Sequence, residues 1–206
     1  MRFLLLLTGL GSPFHGAHAE NNIRIMAFGD SLTAGFGLAP ADSFPSQLQR
    51  ALEARGLPAR VLNAGVSGDT TSGGLARLDW SLSDRPDMVI VALGANDALR
   101  GIDPAITRAN LAAILEKLRR KKLPVLLAGA YAPPNLGREY EASFNGIFPD
   151  LAKEYDVPLY PFFLEGVVTV PSLNQGDGVH PNAEGVAVIV EGITPYVVSL
   201  IESVTQ

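Results

Sequence analysis

Ser31, Asp177 and His180 are the residues whose types and spacing point most directly to chemistry. The first 19 residues contain His15 and His18, so His180 is the only histidine in the rest of the chain. An aspartate three residues before a histidine, on a tight turn or at a helix entry, can share a face with it. A hydroxyl, an imidazole base and an orienting carboxylate are the components of serine nucleophilic catalysis.

Each of these residues also has an ordinary structural interpretation. A serine at the start of a helix is usually a cap, and Asp177 or Asn182 could cap a helix that begins at Pro181. That interpretation explains Pro181 but leaves His180 unexplained. The G-x-S-x-G pentapeptide is missing from the sequence, which argues against the nucleophile elbow of α/β-hydrolases.

Gly68 and Asn96 are candidate donors to a developing oxyanion, together with the backbone N–H of Ser31. A glycine N–H can approach a ligand closely because no Cβ intervenes, and a side-chain amide can donate to an oxyanion. Either residue alone is also a common turn former.

Composition excludes several other chemistries. The net charge of −5 argues against a nucleic-acid partner, and the basic residues 117–122 lie where a predicted helix ends. Cysteine is absent, which excludes a thiol nucleophile and thiolate metal sites. A carboxylate site for calcium or magnesium remains open, although no loop has the required acidic spacing. We therefore expect no metal and no cofactor.

Residues 1–19 are predicted to be a signal peptide. Arg2 precedes a short apolar stretch, and residues 17–19 match the small-x-small cleavage pattern. We therefore expect export to the periplasm or secretion, a mature net charge of −6, and one domain over residues 20–206. No other stretch suggests a stable membrane anchor, and we expect a monomer.

Short apolar stretches alternate with helical patterns along the chain. The predicted strands cover residues 23–28, 60–64, 88–93, 125–130 and 157–162. The predicted helices cover residues 42–56, 71–83, 104–122, 138–155 and 181–203, and Pro195 should kink or divide the last one. This alternation predicts an α/β fold, a three-layer α/β/α sandwich with a mainly parallel five-stranded sheet.

The unusual polar and glycine-rich segments follow the predicted strands. They cover residues 29–31, 65–69, 94–97 and 131–137, and the segment 177–180 follows the fifth strand after a loop. Ligands bind outside the carboxyl ends of parallel strands, so we expect these loops to form one site.

Four parts of these segments resemble, in order, the four sequence blocks of the SGNH hydrolases, also called GDSL esterases: residues 29–32, Gly68, residues 94–97 and residues 177–180. The resemblance covers nearly the whole mature chain, and Ser31, Gly68, Asn96 and His180 match the four residues that name the family. Further stretches, among them residues 28–37, 94–101 and 132–138, are similar to the exported thioesterase I, lysophospholipase and arylesterase branch. The sequence departs from one common pattern of that branch at Ala98, where glycine is usual.

The resemblance implies a flavodoxin-like SGNH fold, a periplasmic location and hydrolysis of ester and thioester bonds in small acyl substrates. Leu75, Asn135 and Leu136 are candidate acyl-binding residues, with Trp80 and Tyr131, although core packing or a turn would also explain them. Two other functions stay open at this point. They are a carbohydrate deacetylase with the same catalytic residues and a non-catalytic periplasmic binding protein.

Overall fold

The computed structural model describes residues 22–205, so the predicted signal peptide lies outside the described residues. Five parallel strands form one sheet in the order β2-β1-β3-β4-β5. The strands are β1 (Ile23–Gly29), β2 (Ala59–Gly65), β3 (Met88–Ala92), β4 (Val125–Ala128) and β5 (Leu159–Tyr160). The predicted α/β class and parallel sheet are confirmed.

Helices lie between the strands and after the last one. They are α1 (Ser31–Ala34), α2 (Phe44–Glu53), α3 (Thr71–Ser81), α4 (Ala95–Leu99), α5 (Pro104–Arg120), α6 (Arg138–Asn145), α7 (Ile147–Tyr155) and α8 (Ala183–Thr205). Short 3-10 turns cover Pro40–Asp42, Leu82–Asp84, Pro134–Leu136 and Pro171–Leu173.

Two hydrophobic clusters, one on each face of the sheet, make the three layers. Along β1, Ile25 and Ala27 belong to the cluster that includes α2 and α8. The alternate residues Met26 and Phe28 belong to the cluster that includes α3, α5 and α7. Successive side chains of a strand point to opposite faces, and a parallel sheet is covered on both, which explains the nearly continuous apolar strands.

The structure differs from several predicted elements, among them the fifth strand, the helix over 138–155 and the helix that contains Pro195. The fifth strand pairs over only Leu159–Tyr160. The helix predicted over 138–155 is two helices, because Pro149 has no N–H to donate to the carbonyl of Asn145. Pro195, in contrast, does not divide α8, which is continuous over 23 residues.

Helix α8 has the length and apolar composition of a membrane span over Ala183–Val204, with a mean hydropathy of 1.6. Half of that segment is buried, and Ile193 and Val197 belong to the core beside α2. A core helix that packs on a sheet can have the same length and composition, and α8 packs in this way.

The strand order places a crevice at the end of β1. The chain passes from β1 to β2 on one side of the sheet, and β3 lies on the other side of β1. The helices therefore diverge to opposite faces at the carboxyl ends of β1 and β3, and the loops there border an open crevice.

Candidate active site

Ser31 is held at the point where β1 turns into α1. Asp30 caps the four-residue helix, and Ser31 is its first residue, so the Ser31 N–H has no acceptor within the helix. A Cβ at Gly29 would lie 2.1 Å from Thr33 Oγ1 and 2.7 Å from the Ala92 carbonyl oxygen. Only glycine fits this turn, which fixes the position of the Ser31 hydroxyl relative to β3.

Asp177 and His180 form a tight turn ahead of α8. Asp177 Oδ1 accepts from the backbone N–H groups of Val179, at 2.9 Å, and His180, at 3.0 Å. Its other oxygen, Oδ2, lies 2.7 Å from His180 Nδ1. These bonds, led by the His180 backbone N–H, hold the pKa of Asp177 well below its usual range. Asp177 is therefore an anion that favours a proton on His180 Nδ1.

His180 brings the two distant segments together. Its Nε2 lies 2.9 Å from Ser31 Oγ, across 149 positions of sequence. With the Nδ1 proton directed at Asp177, Nε2 is left as the acceptor for the Ser31 hydroxyl proton. The arrangement can act as a nucleophile, a general base and an orienting carboxylate.

Gln175 and Phe36 hold the histidine turn against the loop after α1, and no sequence pattern predicted either residue. The Gln175 backbone N–H donates to the His180 carbonyl at 2.7 Å, and its side-chain amide donates to the Phe36 carbonyl at 2.7 Å. The Phe36 ring lies over the imidazole with centroids 4.6 Å apart. Contacts that fix the ring restrict its rotation away from Ser31.

Asp177→Asn is expected to lower kcat by about 10³- to 10⁴-fold, because the amide favours the wrong His180 tautomer. KM should change little, since Asp177 does not line the cavity. Steady-state kinetics on a nitrophenyl ester measure both constants. Asp150→Asn, at an exposed acid on α7, is the matched control. A loss of less than about tenfold for Asp177→Asn would remove the carboxylate from the assignment.

Asn96 lies on α4, which a buried polar network ties to its neighbours. The carboxylate of Asp97 is fully buried and accepts from the Thr71 backbone N–H at 2.8 Å and from the Thr107 hydroxyl at 3.2 Å. These bonds connect α4 to α3 and α5. The Asn96 amide itself donates from Nδ2 to Asp30 Oδ2 at 3.2 Å.

Asp30 is a buried carboxyl group beside Ser31, the candidate nucleophile. It is 1% exposed, and its Oδ1 accepts from the Leu32 N–H at 3.0 Å. Burial raises the pKa of Asp30 to about 6, against the opposing effects of the Leu32 N–H, the Asn96 amide and the charge of His180.

Two arginines hold the loop that carries Gly68, whose φ of 82° suits glycine. Arg100 Nη2 donates to the Gly68 carbonyl at 2.7 Å, which keeps Gly68 beside the helix of Asn96. Arg77 donates to Asp69 at 2.5 Å and to the Gly29 carbonyl at 2.8 Å. Gly68 does not line the cavity, so its role as an oxyanion donor stays a prediction. No local sequence pattern predicted the contacts of either arginine.

A cavity of about 580 Å³ adjoins the candidate catalytic residues. Ser31, Asn96 and His180 line it, and most of its other residues are apolar. The Tyr131 and Phe162 rings stack in its wall with centroids 4.5 Å apart. Ligand pockets in proteins commonly have about 300–1,000 Å³, so the cavity is large enough for an apolar acyl group.

The predicted acyl-binding residues lie mostly elsewhere, which corrects their placement. Leu75 packs against the core under α3, because its side of the helix faces the sheet. Asn135 is exposed on a 3-10 turn, and Leu136 lines a separate depression beside α6. Trp80 is 78% exposed, and of the five predicted residues only Tyr131 lines the cavity. Ala98 is buried in the core, so it lies away from the reacting groups.

Within residues 22–205, no group of three or more histidine, aspartate or glutamate side chains is arranged to hold a metal ion. The candidate site consists of Ser31, Asp177 and His180 with the nearby amide of Asn96. These groups can transfer a proton and form a covalent acyl intermediate.

The comparisons of this chain with known proteins all indicate the same family. Residues 27–188 match the family model described as GDSL-like lipase/acylhydrolase. An arylesterase from Vibrio mimicus is 38% identical over 183 residues, which cover 88% of this chain and 92% of that protein. Thioesterase 1/protease 1/lysophospholipase L1 from Escherichia coli K12 is 40% identical over 183 residues, covering 88% and 83%.

Solved structures include a similar fold. The crystal structure of AlinE4, described as an SGNH-hydrolase family esterase, superimposes with a TM-score of 0.74 at 50% sequence identity. The match covers 86% of this chain and 96% of that one.

Proposed function

Because this chain belongs to the GDSL-like lipase/acylhydrolase family, we propose that it is a serine esterase that hydrolyses carboxylic ester and thioester bonds. The observation that carries the proposal is the chain of contacts from Asp177 through His180 to Ser31, at 2.7 and 2.9 Å, beside an apolar cavity. This geometry joins a nucleophile and its base to a space for an acyl group.

Ser31 Oγ attacks the acyl carbonyl carbon while His180 Nε2 removes the hydroxyl proton. The N–H groups of Ser31 and Gly68 and the amide of Asn96 stabilise the oxyanion of the tetrahedral intermediate. Asp177 stabilises the imidazolium, which then protonates the leaving alkoxide or thiolate as the acyl-serine ester forms. His180 next activates water, and hydrolysis of the acyl-serine releases the acid and regenerates Ser31.

The proposed substrates are aryl esters, acyl thioesters and lysophospholipids with an apolar acyl group. The names of the Vibrio and Escherichia relatives contain these activities, and the apolar lining of the cavity supports the choice of acyl group. An acetyl group would fill only a small part of a cavity of about 580 Å³, which disfavours a dedicated sugar deacetylase.

A series of nitrophenyl esters from acetyl to decanoyl tests the proposal. We expect kcat/KM to rise beyond the acetyl ester, because each buried methylene contributes about 0.8 kcal/mol. A narrow preference for acetyl would favour the deacetylase instead. No hydrolysis of any ester, together with reversible binding of the compounds, would identify a binding protein.

A variant that narrows the cavity sharpens this test. Ala130 lines the cavity, so Ala130→Leu should lower kcat/KM for an octanoyl ester by about tenfold or more. The same change should leave the acetyl ester within about threefold of wild type, since a short acyl group does not need the lost volume. Ala109→Leu, on the exposed side of α5, is the matched control. Equal losses on both esters would place the acyl group outside this cavity.

We also propose export by residues 1–19, a periplasmic or secreted mature protein, and action as a monomer without a membrane anchor. The pattern of those residues supports export, and the core packing of α8 supports the lack of an anchor. Fractionation of cells that express the full chain, with N-terminal sequencing of the product, tests the proposal. A cytosolic product that retains residues 1–19 would contradict it.

A further inference from the structure

We propose that Asp30 is a positioning residue whose carboxylate determines which end of the Asn96 side-chain amide faces the reacting oxyanion. The inference depends on the proposed esterase function, because it assigns a donor to the same reaction. Asn96 lies beside Ser31 and His180 in the wall of the cavity, so the orientation of its amide matters to a tetrahedral intermediate there.

Both oxygens of Asp30 accept from N–H groups. Oδ1 accepts from the Leu32 backbone at 3.0 Å, and Oδ2 accepts from Asn96 Nδ2 at 3.2 Å. An ionised carboxylate accepts only, so Asn96 must present its nitrogen to Asp30. The carbonyl oxygen of the amide is thereby directed away from Asp30.

The Asn96 Nδ2 carries two N–H groups, and Asp30 uses one of them. The other is free to donate to an oxyanion, as a preorganised donor should. If the amide turned round, Oδ1 would take the place of Nδ2. An acceptor in that place would repel the developing negative charge rather than stabilise it.

Helix capping alone does not explain a carboxylate at this position. Helix α1 has only four residues, and one side-chain oxygen satisfies the Leu32 N–H. Serine, threonine or asparagine caps a helix as well as aspartate does. Asp30 is nevertheless 1% exposed, and burial raises its pKa to about 6, so its charge at pH 7 is costly to the fold. The second oxygen, which orients Asn96, accounts for the carboxylate.

Asp30→Asn separates the two roles with almost no change of shape. Its Oδ1 can still accept from the Leu32 N–H, but its nitrogen would face Asn96 Nδ2, donor against donor. Asn96 must then turn and offer its oxygen, which removes the oxyanion donor. We expect kcat to fall by about 10²- to 10³-fold, the usual loss for one such donor. KM should stay within about threefold, because the interaction forms only in the transition state.

The matched control is Asp103→Asn. Asp103 caps α5 through the Ala105 N–H at 2.8 Å, so it resembles Asp30 as a cap but has no contact with Asn96. We expect wild-type kcat for this variant. A double variant adds a second test. Asp30→Asn in an Asn96→Ala background should be no slower than Asn96→Ala alone, because the donor is already absent.

Thermal unfolding distinguishes the proposed positioning role from a purely structural role, because the two roles predict opposite changes in Tm at pH 7. The folded-state pKa of about 6 exceeds the ordinary value of 3.8, so the folded state binds more protons between these pH values. The contribution of Asp30 to stability is therefore complete below pH 3.8 and is lost as the pH rises through about 6. The titratable group whose charge acts on Asp30 is His180. Relative to wild type, the Tm of Asp30→Asn should be higher at pH 7 than at pH 4.

The expected result is a lower kcat with an unchanged KM, no further loss in the Asn96→Ala background, and a higher relative Tm at pH 7. Wild-type kcat for Asp30→Asn would overturn the inference. So would an additional loss of activity in the Asn96→Ala background, or a fall in Tm at pH 7 that parallels the loss of kcat. If wild-type protein hydrolyses no ester, the proposed function fails instead, so the two failures are distinguishable.

Discussion

Ser31→Ala is expected to lower kcat for ester hydrolysis by about 10⁴-fold or more, because the acyl intermediate can no longer form. The prediction follows from the 2.9 Å contact between Ser31 Oγ and His180 Nε2 and from the turn that fixes Ser31 at the end of β1. Water, unlike Ser31, is not held in line with the base, so little hydrolysis should remain.

Folding should survive the change. The side chain loses one hydrogen bond at a half-buried position, which is worth about 1 kcal/mol, so Tm should move by no more than about 4 °C. Ser67→Ala is the matched control, because Ser67 is an exposed serine in the loop beside Gly68. Loss of activity in Ser67→Ala with retention in Ser31→Ala would transfer the nucleophile to that loop.

His180→Ala is expected to lower kcat by a similar factor of about 10⁴ or more, and the loss should not add to that of Ser31→Ala. The base and the nucleophile act as one unit, so the double variant should be no slower than either single one. Outside residues 1–19 the sequence has no second imidazole that could take over.

Added imidazole offers an internal check on this prediction. The space left by the ring adjoins the cavity, so imidazole should partly restore His180→Ala but not Ser31→Ala. A His180→Ala variant within about tenfold of wild type, or equal rescue of Ser31→Ala by imidazole, would contradict a histidine base.

The three layers, and the meeting of Ser31, Asp177 and His180, were predictable from short sequence patterns and from the order of strands and helices along the chain. The near-continuous apolar stretch at residues 89–93 is typical of a strand covered on both faces, and it lies largely in β3. Asp177 and His180 stand three residues apart, so their contact is set by a single turn. The contact of His180 with Ser31 depends on where parallel strands end, which the alternation of strands and helices also predicts.

Long-range polar contacts were not predictable from one sequence. Arg77 reaches the carbonyl of Gly29 across 48 positions, and Gln175 reaches that of Phe36 across 139. No local pattern marks such partners, because backbone carbonyls are present at every residue. The residues that line the cavity were predicted wrongly for a related reason. Leu75 and Leu136 are apolar, but whether an apolar side chain faces a cavity or a core depends on the packing of whole helices.

In the proposed reaction, Ser31 is the nucleophile that forms a covalent intermediate with the help of His180. The most direct measurement is mass spectrometry of the mature protein after reaction with an organophosphonate, with peptide mapping of the adduct. We expect one adduct per chain on Ser31, no adduct in Ser31→Ala, and much slower labelling of His180→Ala. An ester-hydrolysing protein that remains unlabelled, or that carries the adduct on another residue, would contradict the claim.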